Sequence, residues 1–449
     1  MEVPVEVVTA ARTETASRRA AAALAARGLR AGDRVALALP GSGDLLALVL
    51  GALRTGVVPV VLDPASPPAE RAVLLQDADP ALVVDSPAAL AALLAEEARA
   101  ELADVPLARP MHYTSGTTGR RKGVWSGVLD EPAARALVAE EAELWGFAAD
   151  DRHLLLSPLH HSAPLRFATL TLLAGGTVLL PGPFDPAAVL AAVAEHAPTS
   201  AFCVPAHLQR LHAHAAAHGG WPSTSSFRLL AHAGAPCPPP VRERTVEVMP
   251  AGSVWEFYGS TEGQFTACRA QEQVERPGTV GRARPGRTLS VDADGVIWCA
   301  VPDRARFSYW RDPERTAAAW RGDAFTVGDL GRLDAEGYLY LDGRREDLVI
   351  SGGVNVYPAE VEQVLAGCPG VLEVAVFGVD DEQWGQRVCA AVVRAPGMGE
   401  VAPEAVRGWA RERLGPAKRP KDVYVVEDLP RTSTGKVRRL DLPGVLGLG

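Results

Sequence analysis

Residues 113–123 read Tyr-Thr-Ser-Gly-Thr-Thr-Gly-Arg-Arg-Lys-Gly. Thr114, Ser115, Thr117 and Thr118 offer hydroxyls. Gly116 and Gly119 allow backbone N–H groups to come close to a polyanion, and Lys122 ends the run with a compact positive charge. Any one of these residues belongs equally well in an ordinary surface turn. All of them together, directly after an apolar segment, read as a phosphate-binding loop. It is not the GxxxxGK[ST] loop, because the spacing fails and Gly123, not Ser or Thr, follows Lys122.

On either side of this loop, short apolar runs alternate with helical patterns. Ser17 to Arg27 is an Ala-rich helix closed by Gly28, and Arg34 to Leu39 is a strand stopped by Pro40. Asp44 to Arg54 is a second helix; Val57 to Leu62 and Leu82 to Val84 are further strands. The rhythm returns at Thr177 to Leu180, Ala201 to Val204 and Phe227 to Ala231. Strand, helix, strand at this spacing predicts parallel sheets covered by helices on both faces. Near Asp329 the pattern changes to short strands punctuated by Asp, Gly and aromatic residues, Gly328 to Arg344, which reads as an antiparallel hairpin. A smaller unit follows, with helices at Pro358 to Leu365 and Pro403 to Leu414 and strands at Val371 to Val376 and Val388 to Val393. The expected division is a large domain over 1–342, a junction at 343–347 and a small domain over 348–449.

The bulk numbers agree with a globular chain. With 449 residues it is too long for one ordinary core, and 47% hydrophobic with 22% charged residues excludes disorder. A formal net charge of -9 argues against a nucleic-acid-binding surface. The basic run Arg411 to Lys421 reads as a solvated face. Six cysteines are scattered with no CxxC pair, which predicts reduced core thiols in a cytoplasmic protein. The longest uncharged stretch, Phe167 to Phe184, is nearly broken in two by Gly175-Gly176 and interrupted by Pro181 and Pro183. It reads as a buried helix end, a turn and a strand rather than a membrane span.

The loop at 113–123 resembles the YTSGTTGxPKG signature of the superfamily that contains acyl-CoA synthetases, peptide-synthetase adenylation domains and luciferases, with Arg121 in place of the usual proline. Four more motifs follow in that superfamily's order. Tyr258-Gly259-Ser260-Thr261-Glu262 is similar to YGxTE. Gly328-Asp329 with Gly343-Arg344 resembles the TGD and GR pair, with Val327 where threonine is usual. Ser351 to Glu362, which includes Gly352 and Gly353, resembles the loop used in thioester formation, and Pro430 to Lys436 resembles the C-terminal lysine loop. Glu346 stands at the hinge, where Asp or Lys is usual.

The resemblance implies an α/β fold: a large N-terminal domain of helix-covered, mostly parallel sheets with a small barrel-like subdomain, then a small mobile α+β domain. It also implies ATP and Mg²⁺. Thr114, Ser115, Gly116, Thr117, Thr118, Gly119 and Lys122 would hold phosphates. Gly234-Ala235-Pro236 and Glu256-Phe257-Tyr258-Gly259 would lie along the nucleotide, and Thr261 would touch the α-phosphate. Glu262 and Thr117 would hold the metal, Asp329 the ribose hydroxyls with Arg344 nearby, and Lys436 the attacking carboxylate. His161, of the pair His160-His161, would line the acid pocket with Arg166, Phe202, Val204, Ala233 and Gly259. Lys436, Thr261, His161 and Lys122 are the catalytic candidates.

The implied reaction activates a small carboxylic acid as an acyl-AMP and transfers it to coenzyme A. Trp384, Lys418 and Arg419 are candidates for meeting the coenzyme, together with Gly352 and Gly353. Two other outcomes fit the same motifs: loading a carrier protein, or activating nitrite to diazotise an aryl amine. Typical members carry several dozen more residues before the Ala-rich helix, and a homodimer contact is one expected compensation for the shortened edge.

Overall fold

The computed structural model describes residues 4–114, 121–344, 347–351, 354–395, 399, 401–431 and 437–448. The side chains of Arg344 and Asn355 also fall outside the description. The chain forms two compact units: Met1–Leu289 with Cys299–Phe325, and Ser290–Trp298 with Thr326–Gly449.

In the first unit, strand Arg34–Leu37 is flanked on both sides by parallel partners, Val58–Val61 and Leu82–Val84. Helix Gly43–Leu53 buries every residue except Asp44, as a helix apolar all round must. Its N-cap Ser42 accepts from the Leu45 N–H at 3.2 Å. Gly51 lets helix Ala10–Ala26 lie close: a Cβ there would come within 2.5 Å of the Ser17 carbonyl oxygen. That first helix begins at Ala10 and not at Ser17. The buried face of its extra turns carries Thr13 and Ser17, small polar residues that hide the apolar period. Thr13 Oγ1 donates to the Thr9 carbonyl at 2.9 Å, so burial costs it little.

The larger sheet is parallel through its centre. Its strands run in the spatial order Thr177–Leu180, Arg152–Leu155, Ser200–Cys203, Leu229–His232 and Val254–Glu256. Glu6–Thr9 pairs antiparallel at one edge, and Thr266–Arg269 and Thr279–Ala283 continue antiparallel past the other. The stretch 167–184 is the end of helix Ser162–Leu173, a Gly175-Gly176 turn and a strand, as its sequence predicts. Among the described residues no helix is long and apolar enough to cross a membrane. Parallel strands share a direction, so the loops after Leu155, Cys203, His232 and Glu256 all emerge at one edge, where ligand sites of such sheets form. Phe167 sits beneath them with its ring 5.3 Å from Trp145 and 5.7 Å from Phe202.

A small three-stranded sheet sets Lys122–Trp125 between His112–Thr114 and Ser308–Tyr309, antiparallel to both. All six cysteines are free and buried, in agreement with their reading as core thiols. Burial pushes the Cys237 and Cys299 thiols up to about 12.

In the second unit, Asp329–Leu333 and Tyr338–Arg344 form the antiparallel hairpin that their sequence predicts. The following strands are longer than expected, Val371–Asp381 and Gly385–Arg394. Polar residues interrupt the apolar run near Asp380 and Arg387, but ladder pairing continues to Asp381 opposite Gly385. Asp422–Val426 adds a parallel edge, and helix Pro403–Arg413 ends one residue before Leu414. Arg439 ties this unit together, donating to Asp347 at 2.5 Å and to both Glu362 oxygens at 2.8 and 3.0 Å.

Glu256 ends a core strand at 6% exposure, and Gln273 donates to its carboxylate. Burial raises its pKa to about 7; Gln273 and Arg242 oppose the rise. Between the ordinary value of 4.5 and about 7, the folded carboxyl holds a proton that the unfolded chain has released. Its contribution to stability is therefore complete below 4.5 and is lost as pH rises through 7. Glu256→Gln should remove this loss. Urea unfolding of both proteins from pH 5 to 8 should show the variant gaining on the wild type as pH rises, and parallel pH slopes would contradict the assignment.

Candidate active site

Tyr258 to Gln264 fold back on themselves. Gly259 bridges Gln264, Ser260 N–H donates to the Gly263 carbonyl at 2.9 Å, and Ser260 Oγ accepts from Glu262 N–H at 3.2 Å. A Cβ on Gly259 would fall 2.8 Å from the Gln264 backbone, so this position needs glycine. The turn aims the Glu262 side chain inward, where it is 4% exposed.

Opposite it stands Lys122. Its Nζ lies 3.6 Å from Glu262 Oε1, donates to Tyr309 Oη at 3.2 Å, and sits 4.5 Å above the Tyr309 ring. Tyr309 Oη donates in turn to Glu262 Oε1 at 2.9 Å. Lysine, phenol and carboxylate thus form one connected chain. Burial and the Glu262 charge hold the Tyr309 hydroxyl well above the ordinary phenol range, so it stays a donor. The register explains the meeting: Tyr309 pairs with Val124 and Thr114 with Lys122 across the small sheet. Thr316 Oγ1 accepts from Tyr309 N–H at 2.9 Å and fixes the outer strand.

Space lies beside the lysine. A cavity of about 300 Å³ is lined by Asp77, Arg121, Lys122, Trp310, Arg311 and Arg315 among others. Arg121, in the usual proline position, is ion-paired with Glu70. Tyr113 donates to Asp77 Oδ2 at 2.6 Å. Thr114 Oγ1 is buried with no partner among the described residues, a polar atom left for a ligand or water.

His161 caps helix Ser162–Leu173, with the His160 ring 4.1 Å away edge-on. His112 Nδ1 lies 3.1 Å from the His160 carbonyl. Burial drives His161 down to about 3, helped by His160 and His112, and drives His112 down to about 4. These imidazoles are neutral at pH 7 and shape the site as neutral donors and acceptors. His161 Nε2 is buried without a hydrogen-bond partner among the described residues.

The structure places the remaining sequence candidates as follows. Thr261 is half-buried on the same turn as Glu262, and the Tyr258 ring lies 4.9 Å from Phe265. Gly234, Ala235 and Pro236 lie on the exposed loop after Leu229–His232. Val204 caps helix Pro205–Ala217, and Ala233 is buried. Phe257 packs into the aromatic cluster, 5.6 Å from Trp145 and 5.7 Å from Phe202. Glu256 faces Gln273 and not the turn that carries Glu262. In the second unit, Asp329 is 7% exposed, opposite Arg344 in the hairpin. Trp384 lies in the turn after Asp381, with Lys421 Nζ 4.4 Å above its ring. Lys418 is bound to Glu360 at 2.5 and 2.8 Å, beside a cavity of about 290 Å³. Ser115, Gly116, Thr117, Thr118, Gly119, Gly352, Gly353, Glu346 and Lys436 lie outside the described residues, as does the Arg344 side chain.

Sequence reading missed Tyr309, His112, Gln264 and the acidic pair Glu140-Glu141. Tyr309 sits in Phe-Ser-Tyr-Trp-Arg, far from any glycine-rich motif, and only strand pairing brings it to Lys122.

A buried carboxylate, a lysine and hydroxyls at the C-terminal edge of a parallel sheet suit a nucleotide phosphate. Comparison with known proteins agrees. AMP-binding enzymes match over residues 4–110 and 108–297, and the AMP-binding enzyme C-terminal domain matches over 360–436. This chain belongs to the AMP-binding enzyme family. It is 36% identical over 456 residues to a feruloyl-CoA synthase of an Amycolatopsis species, covering 93% of this chain and 90% of the relative. It is 32% identical to a long-chain-fatty-acid–CoA ligase of Mycobacterium tuberculosis, covering 96% and 91%. The structure of o-succinylbenzoate CoA synthetase from Bacillus subtilis, in complex with an acyl-adenylate, superposes with a TM-score of 0.83 at 29% identity, covering 97% of this chain and 93% of that one. The α/β architecture expected from sequence is that of this family.

In this AMP-binding enzyme the phenol of Tyr309 joins Lys122 to Glu262. Tyr309→Phe keeps the ring and removes the bridge. Hydrogen bonds to charged groups contribute roughly 1.5–3 kcal/mol, so ATP-dependent turnover should fall by about 10- to 100-fold. Turnover within twofold of wild type would show the bridge to be idle.

Proposed function

We propose that this enzyme joins a small carboxylic acid to coenzyme A through an acyl-adenylate, at the expense of ATP. The observation that carries the reading is the Lys122–Tyr309–Glu262 chain, a cation and a carboxylate held at one point beside the phosphate loop. The names of the relatives support it, since they are CoA ligases of aryl and alkyl acids. Neither nitrite activation nor carrier-protein loading draws support from them.

The residues present fit a divalent cation. Glu262 gives one oxygen to Tyr309, and its other oxygen, Oε2, has no hydrogen bond among the described residues. A single free carboxylate oxygen suits Mg²⁺, which keeps waters and takes most of its remaining ligands from substrate phosphates. Consistent with that, no cluster of three or more acidic, His or Cys side chains occurs among the described residues. When bound, the ion supplies charge neutralisation on the phosphate oxygens, with Thr117 as a second contact.

In the first half-reaction a substrate carboxylate oxygen attacks the α-phosphorus, and the bond to pyrophosphate breaks. Lys122 faces the phosphate charge that develops, and Thr261 orients the α-phosphate. Neutral His160 and His161 line the acid's approach without a competing positive charge. Lys436 meets the attacking carboxylate, and Asp329 holds the ribose hydroxyls. In the second half-reaction the coenzyme A thiolate attacks the acyl carbon, and AMP leaves with the electron pair of the anhydride C–O bond. Residues 343–347 serve as the hinge on which 348–449 turns against 1–342 between the two steps, bringing Gly352, Gly353 and Trp384 to the thiol. The acceptor is a diffusible thiol and the acid a small molecule, a pairing suited to the cytoplasm.

The test is a product analysis. Enzyme, ATP and Mg²⁺ are incubated with a panel of acids, with and without coenzyme A, and separately with nitrite and aryl amines. An acyl-CoA mass with AMP and pyrophosphate release is the expected result. AMP release that needs nitrite and an amine, or that ignores coenzyme A, would overturn it.

A further inference from the structure

Next to the turn that carries Glu262 lies a second charged cluster, whose positive and negative members do not balance. Glu141 accepts from Arg284 at 2.6 Å and has Arg166 Nε at 3.6 Å. Glu140 is paired with Arg287 at 3.2 Å and with Arg304. Arg109 donates to the Arg306 carbonyl at 2.7 Å and has no carboxylate partner among the described residues. Five guanidinium groups therefore share two carboxylates. Burial lowers the Arg109 pKa to about 10, with Arg287 and Arg166 adding to the repulsion, and burial also lowers that of Arg166.

Buried cations without partners are costly, and a protein that retains them commonly completes the set with an anion. Arg284 is 2% exposed, yet its Nε and Nη2 have no hydrogen-bond partner among the described residues. Arg284 Nη1 and Arg166 Nη2 both reach Gln264 Oε1 at 3.3 Å, and Gln264 is the residue bridged to Gly259. Arg166 stands one side chain from the nucleotide turn. It also lies five residues past His161 on helix Ser162–Leu173, and its guanidinium carbon is 5.7 Å from the Phe257 ring. Arg166 and Arg304 keep 25% and 31% of their side-chain surface accessible, against 2% for Arg284 and 6% for Arg287. Arg304 directs Nε and Nη2 to Glu140, whereas Arg166 directs Nη2 to Gln264 and leaves Nε 3.6 Å from Glu141. Of the two, Arg166 is the one that lies on the helix begun by His161 and bonds Gln264 beside the turn that carries Glu262.

We propose that Arg166 is a specificity-determining residue that receives a second, non-reacting carboxylate of the substrate, so that the preferred acids are dicarboxylates activated at one end only. This rests on the acid-activating reading above. A guanidinium fork matches a carboxylate in two hydrogen bonds, and a half-desolvated pair discriminates strongly against a neutral group, because the cation is then left unanswered. The phosphate-binding residues take no part in this contact, so the effect is on which acid binds and not on ATP.

The experiment pairs each member of a series of linear and aromatic diacids with its own mono-methyl ester, which keeps size and removes the distal charge. Full-length enzyme, ATP, Mg²⁺ and coenzyme A are used throughout, and kcat and KM are measured for each pair. In the wild type the best diacid should exceed its half-ester at least tenfold in kcat/KM, mostly through KM. Arg166→Gln should abolish that preference with KM for ATP unchanged, and Arg166→Lys should restore part of it. Half-esters used as well as diacids by the wild type, or a preference that survives in Arg166→Gln, would overturn the proposal. The wild-type comparison decides even if a variant fails to fold. An enzyme that activates neither diacids nor monoacids would refute the acid-activating reading itself and the proposal with it, a failure recognisably different from acids activated without preference.

Discussion

The contact on which this structure turns is the hydrogen-bonded chain from Lys122 through Tyr309 to Glu262. Its three members come from distant parts of the sequence: a strand after the phosphate loop, a two-residue strand some 190 residues later, and a tight turn at the edge of the main sheet. An unpaired buried carboxylate would be expensive, as would an unpaired lysine. Their pairing removes both penalties and leaves a cation beside the cavity that Arg121, Trp310 and Arg315 also line. Folding and chemistry therefore make the same demand on these side chains.

Much of the remaining architecture serves to hold that point still. Parallel strands bring four loops to one edge of the sheet, and the aromatic cluster around Phe167 fixes the layer beneath them. Gly259 permits a turn that no residue with a side chain could make without displacing the Gln264 backbone. His112 is buried and His160 and His161 are half-buried beside it, all kept neutral by the loss of solvent, so they add shape and hydrogen bonds without contesting the lysine's charge. The charge surplus is concentrated in the arginine cluster around Glu140 and Glu141, joined to the turn through Gln264.

The parts of the fold legible in the sequence were those with a strong local pattern. The strands at 34–37 and 58–61 are near-continuous apolar runs, and helix 43–53 is apolar all round, so burial on both faces is legible directly; the edge strand 82–84 is equally apolar yet leaves Val83 exposed. The first helix starts earlier than its apolar period suggests, because Thr13 and Ser17 occupy core positions that local hydropathy does not register, Thr13 with its hydroxyl on the Thr9 carbonyl. The long strands at 371–381 and 385–394 extend through polar residues held by ladder bonds and by the Asp381 turn. In the site, the glycine-rich and acidic motifs announced Lys122 and Glu262. Tyr309 did not announce itself, because what makes it part of the site is register across a sheet. The same holds for Arg284, whose partners Gln264 and Glu141 lie 20 and 143 positions away, and for the partners of Arg166, a residue that the family resemblance did point to.

The central claim is that Lys122 and Glu262 act on one bound nucleotide as a unit. A double-mutant cycle on ATP binding, with Mg²⁺ present, measures this directly: calorimetric Kd values for wild type, Lys122→Ala, Glu262→Gln and the double variant. Coupled residues give a double variant whose loss is smaller than the sum of the single losses by about 1 kcal/mol or more. Strictly additive losses, or single variants that bind ATP as the wild type does, would contradict the account.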